Sequence, residues 1–243
     1  MREDPDLANE SIAVVFFIDV GLRRCQQMFA DLNRHAVRPS KSIGVLFDHR
    51  DARAEMARLI VLGSPVFKNV VELERSTLAA RSRKLFTLSA IYNASVALTA
   101  GMDDMPIPER AQVARDYWEE VAKHFPEWGL VREHKMSAGE IRADYIHSHG
   151  IVLQALGRVG HALRACGEAD WKKRLKALRT IDWSRDNPLW EGRAAVGGRV
   201  VKGDSNVTLT TNLLKQQLGL PLLPEEQRIE NAAQRGKKAS HGN

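Results

Sequence analysis

The stretch Ile12-Ala13-Val14-Val15-Phe16-Phe17-Ile18 limits the possible folds of this chain more than any other. It is a continuous β-branched and aromatic run with no polar residue to mark a solvent face, so it reads as a strand buried on both sides. A lone strand leaves its N–H and C=O groups unpaired, and so apolar an edge invites aggregation. The run therefore needs partner strands, and the rest of the sequence offers few. A sheet that begins upstream of Met1, followed by helices, is the expected arrangement.

Beyond that run the apolar residues follow a helical period. Asp19 stands as an N-cap, and Leu22, Cys25, Phe29 and Leu32 recur at helical spacing. Arg38-Pro39-Ser40 ends that helix and starts another, since proline suits a first helical turn. Asp51 to Leu62 is amphipathic and stops at Gly63-Ser64-Pro65. An extended stretch, Val66 to Leu73, precedes a helix expected from Ser82 to Ala100, and Pro108 to Phe125 forms the next. Ser137-Ala138-Gly139-Glu140 fits a capping box opening a helix through Ile151, Leu153 and Leu156. Trp171 to Leu178 is short and basic, Ala195 to Lys202 reads as a small hairpin, and Asp204 or Ser205 caps a helix ending at Gly219. From Glu225 the chain is polar, and Arg235 to Asn243 is expected to be a disordered basic tail. The domain expectation divides the chain at 1–75, 76–190 (helical), 191–224 (hairpin and helix) and 225–243 (tail).

With 243 residues, 44% apolar and 27% charged, the chain can bury a core of ordinary globular size. Its formal charge of +6 favours polyanionic partners without requiring them. Cys25 and Cys166 have no metal-ligand or redox spacing, so a disulfide framework and a CxxC site are excluded and a reducing cytoplasm is expected. The acidic start Met1-Arg2-Glu3-Asp4 is unlike a secretory leader, and no apolar run reaches a membrane span. Gly197-Gly198 lacks the lysine and spacing of a phosphate-binding loop. Neither a cofactor nor a metal is expected.

Three blocks, Phe16 to Arg24, Gln26 to Arg34 and Arg38-Pro39-Ser40-Lys41-Ser42, resemble the DndB family of DGQHR-domain proteins, which is associated with DNA sulfur modification (phosphorothioation). The resemblance continues through Leu46 to Asp51, Pro65-Val66-Phe67, Arg81 to Ala90, Ser148 to Gly157 and Leu218 to Leu222. The positions carrying it most directly are Asn33, Arg34, Pro39, Ser40, Asp48, His49 and Arg50. The Asp-Gly-Gln-His-Arg motif itself is absent; in the family it precedes the counterpart of the Ile12 strand. The chain is accordingly expected to be a C-terminal, N-terminally truncated portion, and activity depending on that motif is not carried over. A more distant, fold-level likeness to ParB-type domains places Asn33-Arg34 and Pro39 at comparable points. The implied fold class is α+β and predominantly helical: the remnant of a ParB-like mixed sheet within 1–75, followed by a helical bundle.

The resemblance implies a DNA-binding transcriptional regulator that restrains the sulfur-modification genes, with double-stranded promoter DNA as partner; self-association stays open. Arg23, Arg24, Arg34, Arg38 and Lys41 flank a helix end and a helix start, where guanidinium groups and helix N–H groups suit phosphate contacts. A solvated helix face accounts for the same residues. Arg81, Arg83 and Lys84 sit at an expected helix start, where cations oppose the helix dipole unless an anion offsets them. Lys172, Lys173, Arg174, Lys176 and Arg179 beside Trp171 read as the polar side of a core stripe. His147 and His149 near Asp144, and the Asp48-His49-Arg50-Asp51 cluster, read as structural, as does Cys25 on its apolar stripe. The alternative function is a nucleotide-hydrolysing or nucleic-acid-processing enzyme fragment; catalysis is the less favoured reading and no catalytic residue is assigned.

Overall fold

The computed structural model describes residues 39–165, 167 and 171–240, with side chains through 235. The chain divides after Arg38, and the described residues belong to the unit Pro39–Asn243. The Ile12–Ile18 run, the Leu22 helix with Arg23, Arg24, Cys25, Asn33, Arg34 and Arg38, and Cys166 lie outside the described residues.

Helix α1 (Lys41–Phe47) begins where proline implies: the Ser40 hydroxyl accepts the Ile43 N–H at 3.2 Å. Asp48 ends it, and its carboxylate accepts the N–H groups of Arg50 at 2.9 Å and Asp51 at 3.3 Å. Asp51 then caps α2 (Ala52–Gly63) by accepting the Arg53 N–H. The Asp48–Asp51 cluster is thus a helix-to-helix link whose carboxylates hold backbone N–H groups.

Two short strands follow, β1 (Val71–Glu72) and β2 (Phe86–Thr87), paired in parallel with Val71 opposite Phe86. The helix expected from Ser82 starts six residues later, as α3 (Leu88–Leu98). The Leu85 and Phe86 N–H groups donate to the Val70 carbonyl, which draws these residues into an extended conformation, and Thr87 supplies the cap by accepting the Ala90 N–H. Arg81, Arg83 and Lys84 therefore lie in the loop before β2 rather than at a helix start.

Prolines open α4 (Ile107–Ala122) and α5 (Pro126–Arg132). Ser137 caps α6 (Ala138–Asp144), but the expected continuation does not occur. Residues 144–146 instead bond to 183–185: the Ile146 N–H donates to Trp183 O at 3.0 Å and the Arg185 N–H to Asp144 O at 2.8 Å. After His147-Ser148-His149 the chain enters α7 (Gly150–Ala165). Helix α8 (Trp171–Leu175) runs into a 3-10 turn, Lys176–Thr180. The hairpin is present as β3 (Ala195–Val196) and β4 (Arg199–Val200), turned at Gly197 and Gly198, whose φ of 56° and 71° favour glycine. Gly203 rather than Asp204 is the cap residue of α9 (Asp204–Gln217).

The segment read as a polar tail forms α10 (Pro224–Ser240). Its polarity is partly interior. Glu230 is 1% exposed and accepts both Nη groups of Arg193, at 2.5 and 3.0 Å, while Glu226 pairs with Lys215 of α9 at 2.6 Å. Composition alone cannot show that an acidic i, i+4 pair has basic partners elsewhere in the chain.

At the centre, α3 and α7 lie side by side and run in the same direction: Gly150 faces Ala90, Gly157 meets the Ala94 backbone and Gly160 meets Leu98. Helix α4 braces both, through Trp118 Nε1 to Ser95 Oγ at 3.1 Å and Tyr117 OH to Leu156 O at 2.6 Å. A chain of ring contacts, Phe67, Phe86, Trp128, Phe125, Trp183 and Trp190, carries the core outward to the 3-10 and hairpin region. The fold is α+β and predominantly helical, with two two-stranded sheets among the described residues.

Candidate functional site

A cleft of about 490 Å³ opens where α3 and α7 both begin. Thr87 at the end of β2 and Ser89, Ala90 and Asn93 of α3 line one side; Ser148 and His149, leading into α7, and its Gly150, Ile151 and Gln154 line another. Lys41 of α1, Arg142 of α6, Lys202 and Asp204 complete the charged lining. Neither α3 nor α7 has an acidic residue in its first turn, so two positive helix ends meet three cations, with Asp204 the carboxylate among the described lining residues.

The Pro39-Ser40-Lys41-Ser42 block builds one wall. Ser40 donates to Glu74 O, while buried Ser42 donates to Arg75 O at 3.0 Å and accepts the Ser89 N–H at 3.3 Å. The serines anchor the 74–76 segment and leave Lys41 at the cleft, its Nζ 2.6 Å from Asn93 Oδ1 and 5.1 Å above the Tyr92 ring. On the opposite wall, the Arg142 guanidinium donates to the carbonyls of Ala79, Ala80, Ser82 and Lys84. One side chain therefore fixes the whole 79–84 loop. Gly139 assists, because a Cβ there would stand 2.6 Å from Ala80 O.

The two histidines read as structural have distinct surroundings. His149 Nε2 lies 2.9 Å from Arg142 O; a carbonyl only accepts, so Nε2 carries the proton and Nδ1 is left with its lone pair. Burial, then Arg185, Arg142 and Lys202 nearby, push its pKa down against the raising effect of that hydrogen bond. His147 accepts the Trp128 indole N–H at Nδ1, 3.0 Å away, and burial together with His149 pushes its pKa down to about 3. Ser148, between them, is 3% exposed, and its Oγ has no hydrogen-bond partner among the described residues.

Of the residues singled out in the sequence, Lys41 and His149 line the cleft. Arg81 and Arg83 project from the loop that Arg142 holds and are exposed. Lys84 is engaged elsewhere, donating to Asn69 O at 3.0 Å. Pro39 and Ser40 form the α1 start, Asp48 is in the helix link, and His49 and Arg50 are exposed beside it. Arg23, Arg24, Asn33, Arg34 and Arg38 fall outside the described residues. The sequence reading missed Arg142, Lys202, Asn93 and Gln154 as cleft residues. The available signal was the Ser148–Gly157 block, which carried the family resemblance and contains Gln154.

Fold and cleft together define a predominantly helical α+β protein with a cationic cavity at paired helix starts. The chain belongs to the DndB family, described as DNA-sulfur modification-associated, whose model matches residues 1–221. Helix α10 lies beyond the matched range. No curated protein and no solved structure matches the chain. Among the described residues no helix is long and apolar enough to cross a membrane.

Proposed function

We propose that this chain is a DNA-binding regulator of a DNA phosphorothioation system that represses the promoter of the sulfur-modification genes. The observation carrying this reading is the 79–84 loop: Arg142 holds its backbone through four carbonyls, while the side chains of Arg81 and Arg83 stay exposed and make no hydrogen bond or ion pair among the described residues. A fixed backbone with free guanidinium groups is suited to phosphate contact, because little ordering entropy is lost on binding. Lys41, which lines the cleft, is a further candidate contact; Arg23, Arg24, Arg34 and Arg38, outside the described residues, are candidates from the sequence alone.

Promoter duplex binding measured across a salt series tests the reading. Each phosphate contact contributes about −0.9 to the slope of log K against log salt, so Arg81→Ala with Arg83→Ala is expected to flatten it by about 1.8. A wild-type affinity that does not respond to salt would refute duplex binding through these residues.

A further inference from the structure

We propose that the cleft at the paired starts of α3 and α7 binds a phosphate dianion, either free or as the terminal group of a small monoester. This goes beyond duplex recognition and does not depend on it.

Three independent observations converge. The first is electrostatic. Helices α3 and α7 start side by side, with Gly150 so close to Ala90 that a Cβ there would be 3.3 Å from the Ala90 Cβ. Two positive helix ends in contact repel each other, and neither first turn supplies a carboxylate to offset them. Lys41, Arg142 and Lys202 add positive charge to the same space. Asp204 is the opposing group; it occupies the first turn of α9 and compensates that helix's own dipole.

The second is an orphaned donor. Ser148 lines the cleft two residues before α7, is 3% exposed, and its Oγ has no partner among the described residues. A buried hydroxyl left unsatisfied carries a desolvation penalty, and an anion oxygen in the cleft removes it. The third is the remaining lining. Among the described residues, exposed Lys202 has no ion-pair partner and the Gln154 amide makes no hydrogen bond. The Ser89 and Ala90 N–H groups of α3 are already taken by Ser42 and Thr87, so the donors around the cavity are the first N–H groups of α7, a hydroxyl, an amide and an ammonium, suited to several oxygens of a single anion. At about 490 Å³ the space is that of a small-molecule site.

The test uses the full chain with inorganic phosphate, AMP and a blunt duplex lacking terminal phosphates, each against sodium chloride at equal ionic strength. Calorimetry and thermal midpoints are expected to show phosphate or AMP binding beyond the chloride effect. Tighter AMP binding identifies a monoester and tighter phosphate binding the free ion; either supports the proposal. Ser148→Ala and Lys202→Ala should each weaken binding about tenfold, the equivalent of one charge-assisted hydrogen bond. Without phosphate, Ser148→Ala should unfold at the wild-type midpoint or above, since its hydroxyl has no bond to lose. A purely structural serine would lower that midpoint and leave phosphate affinity intact. The proposal is overturned by a phosphate response equal to chloride, by undiminished binding in both variants, or by the blunt duplex displacing phosphate, which would make the cleft a reader of DNA backbone.

Discussion

The packing of α3 against α7 can be tested at a single position. Gly157 lies where a Cβ would stand 2.9 Å from the Ala94 carbonyl carbon and closer still to its oxygen. Those atoms belong to a helix backbone that cannot rotate away, so Gly157→Ala must push the two helices apart. Overpacking of this kind costs about 3 kcal/mol when the obstacle is rigid. The substitution also gains about 1 kcal/mol of helix propensity, leaving a net loss of about 2 kcal/mol. For a unit of this size that corresponds to a midpoint about 4–8 °C lower. Gly44 is the matched control: it sits in α1 with nothing within 4 Å of its Cβ position, so Gly44→Ala should stabilise by up to about 1 kcal/mol. Thermal unfolding followed by circular dichroism measures both variants. A Gly157→Ala protein as stable as the wild type would show that the helices do not approach this closely.

Arg142→Ala removes the clamp from the 79–84 loop, and limited trypsin digestion should then cut after Arg81 and Arg83 markedly faster than in the wild type. Arg193→Ala leaves the carboxylate of Glu230 buried and unpaired and is expected to cost about 3 kcal/mol in urea denaturation. Burial tends to raise the Glu230 pKa, but its hydrogen bonds, led by Arg193, hold it below the ordinary 4.5, so this contribution is complete above pH 4.5 and lost as pH falls through the lowered value. Glu230→Gln should lack that acid-dependent component. His147 is held neutral down to about pH 3 in the folded chain and takes up its proton near 6.5 when unfolded. Stability should therefore fall as pH drops below 6.5, by at most about 1.4 kcal/mol per unit from this residue, and His147→Gln should reduce that slope.

Local signals in the sequence were reliable where they rest on backbone chemistry. Pro39-Ser40, Asp51, Ser137 and Gly197-Gly198 each announce a cap or turn that the structure contains. Two failures have a common cause. Ser82–Thr87 has no local reason to avoid a helix; it is extended because Val70, far along the chain, accepts its N–H groups. Likewise α6 stops at Asp144 because residues 183–185 pair with that segment. Non-local hydrogen bonds overrode local propensity in both cases. The cleft was legible only in part for the same reason. Lys41 stood in a block of marked resemblance, but Arg142 and Lys202 have no pattern of their own and gain meaning from the 79–84 loop and the hairpin placed beside them.

The direction of α3 and α7 links packing to charge. Had the helices run antiparallel, the positive end of each would have met the negative end of the other, and the pair would have been electrostatically self-satisfied. The parallel arrangement instead gathers both positive ends at one place, an opposition that the buried contact along Gly157 and Gly160 must exceed. Interactions of a helix end with charge are individually about 0.3–1 kcal/mol, small beside a buried helix interface, so the fold tolerates the arrangement. It does not neutralise it. Serine and threonine occupy the caps where aspartate would have done the same work and added negative charge: Thr87 before α3 and Ser137 before α6, whose Arg142 reaches the cleft. Helix α9, with Asp204 in its first turn, shows that this chain can place a carboxylate at a helix start. Helices α1, α3, α7 and α8 begin without one, and of these α3, α7 and, through Lys41, α1 border the cavity, so the positive potential there follows from what lines the cleft rather than from the chain's overall charge.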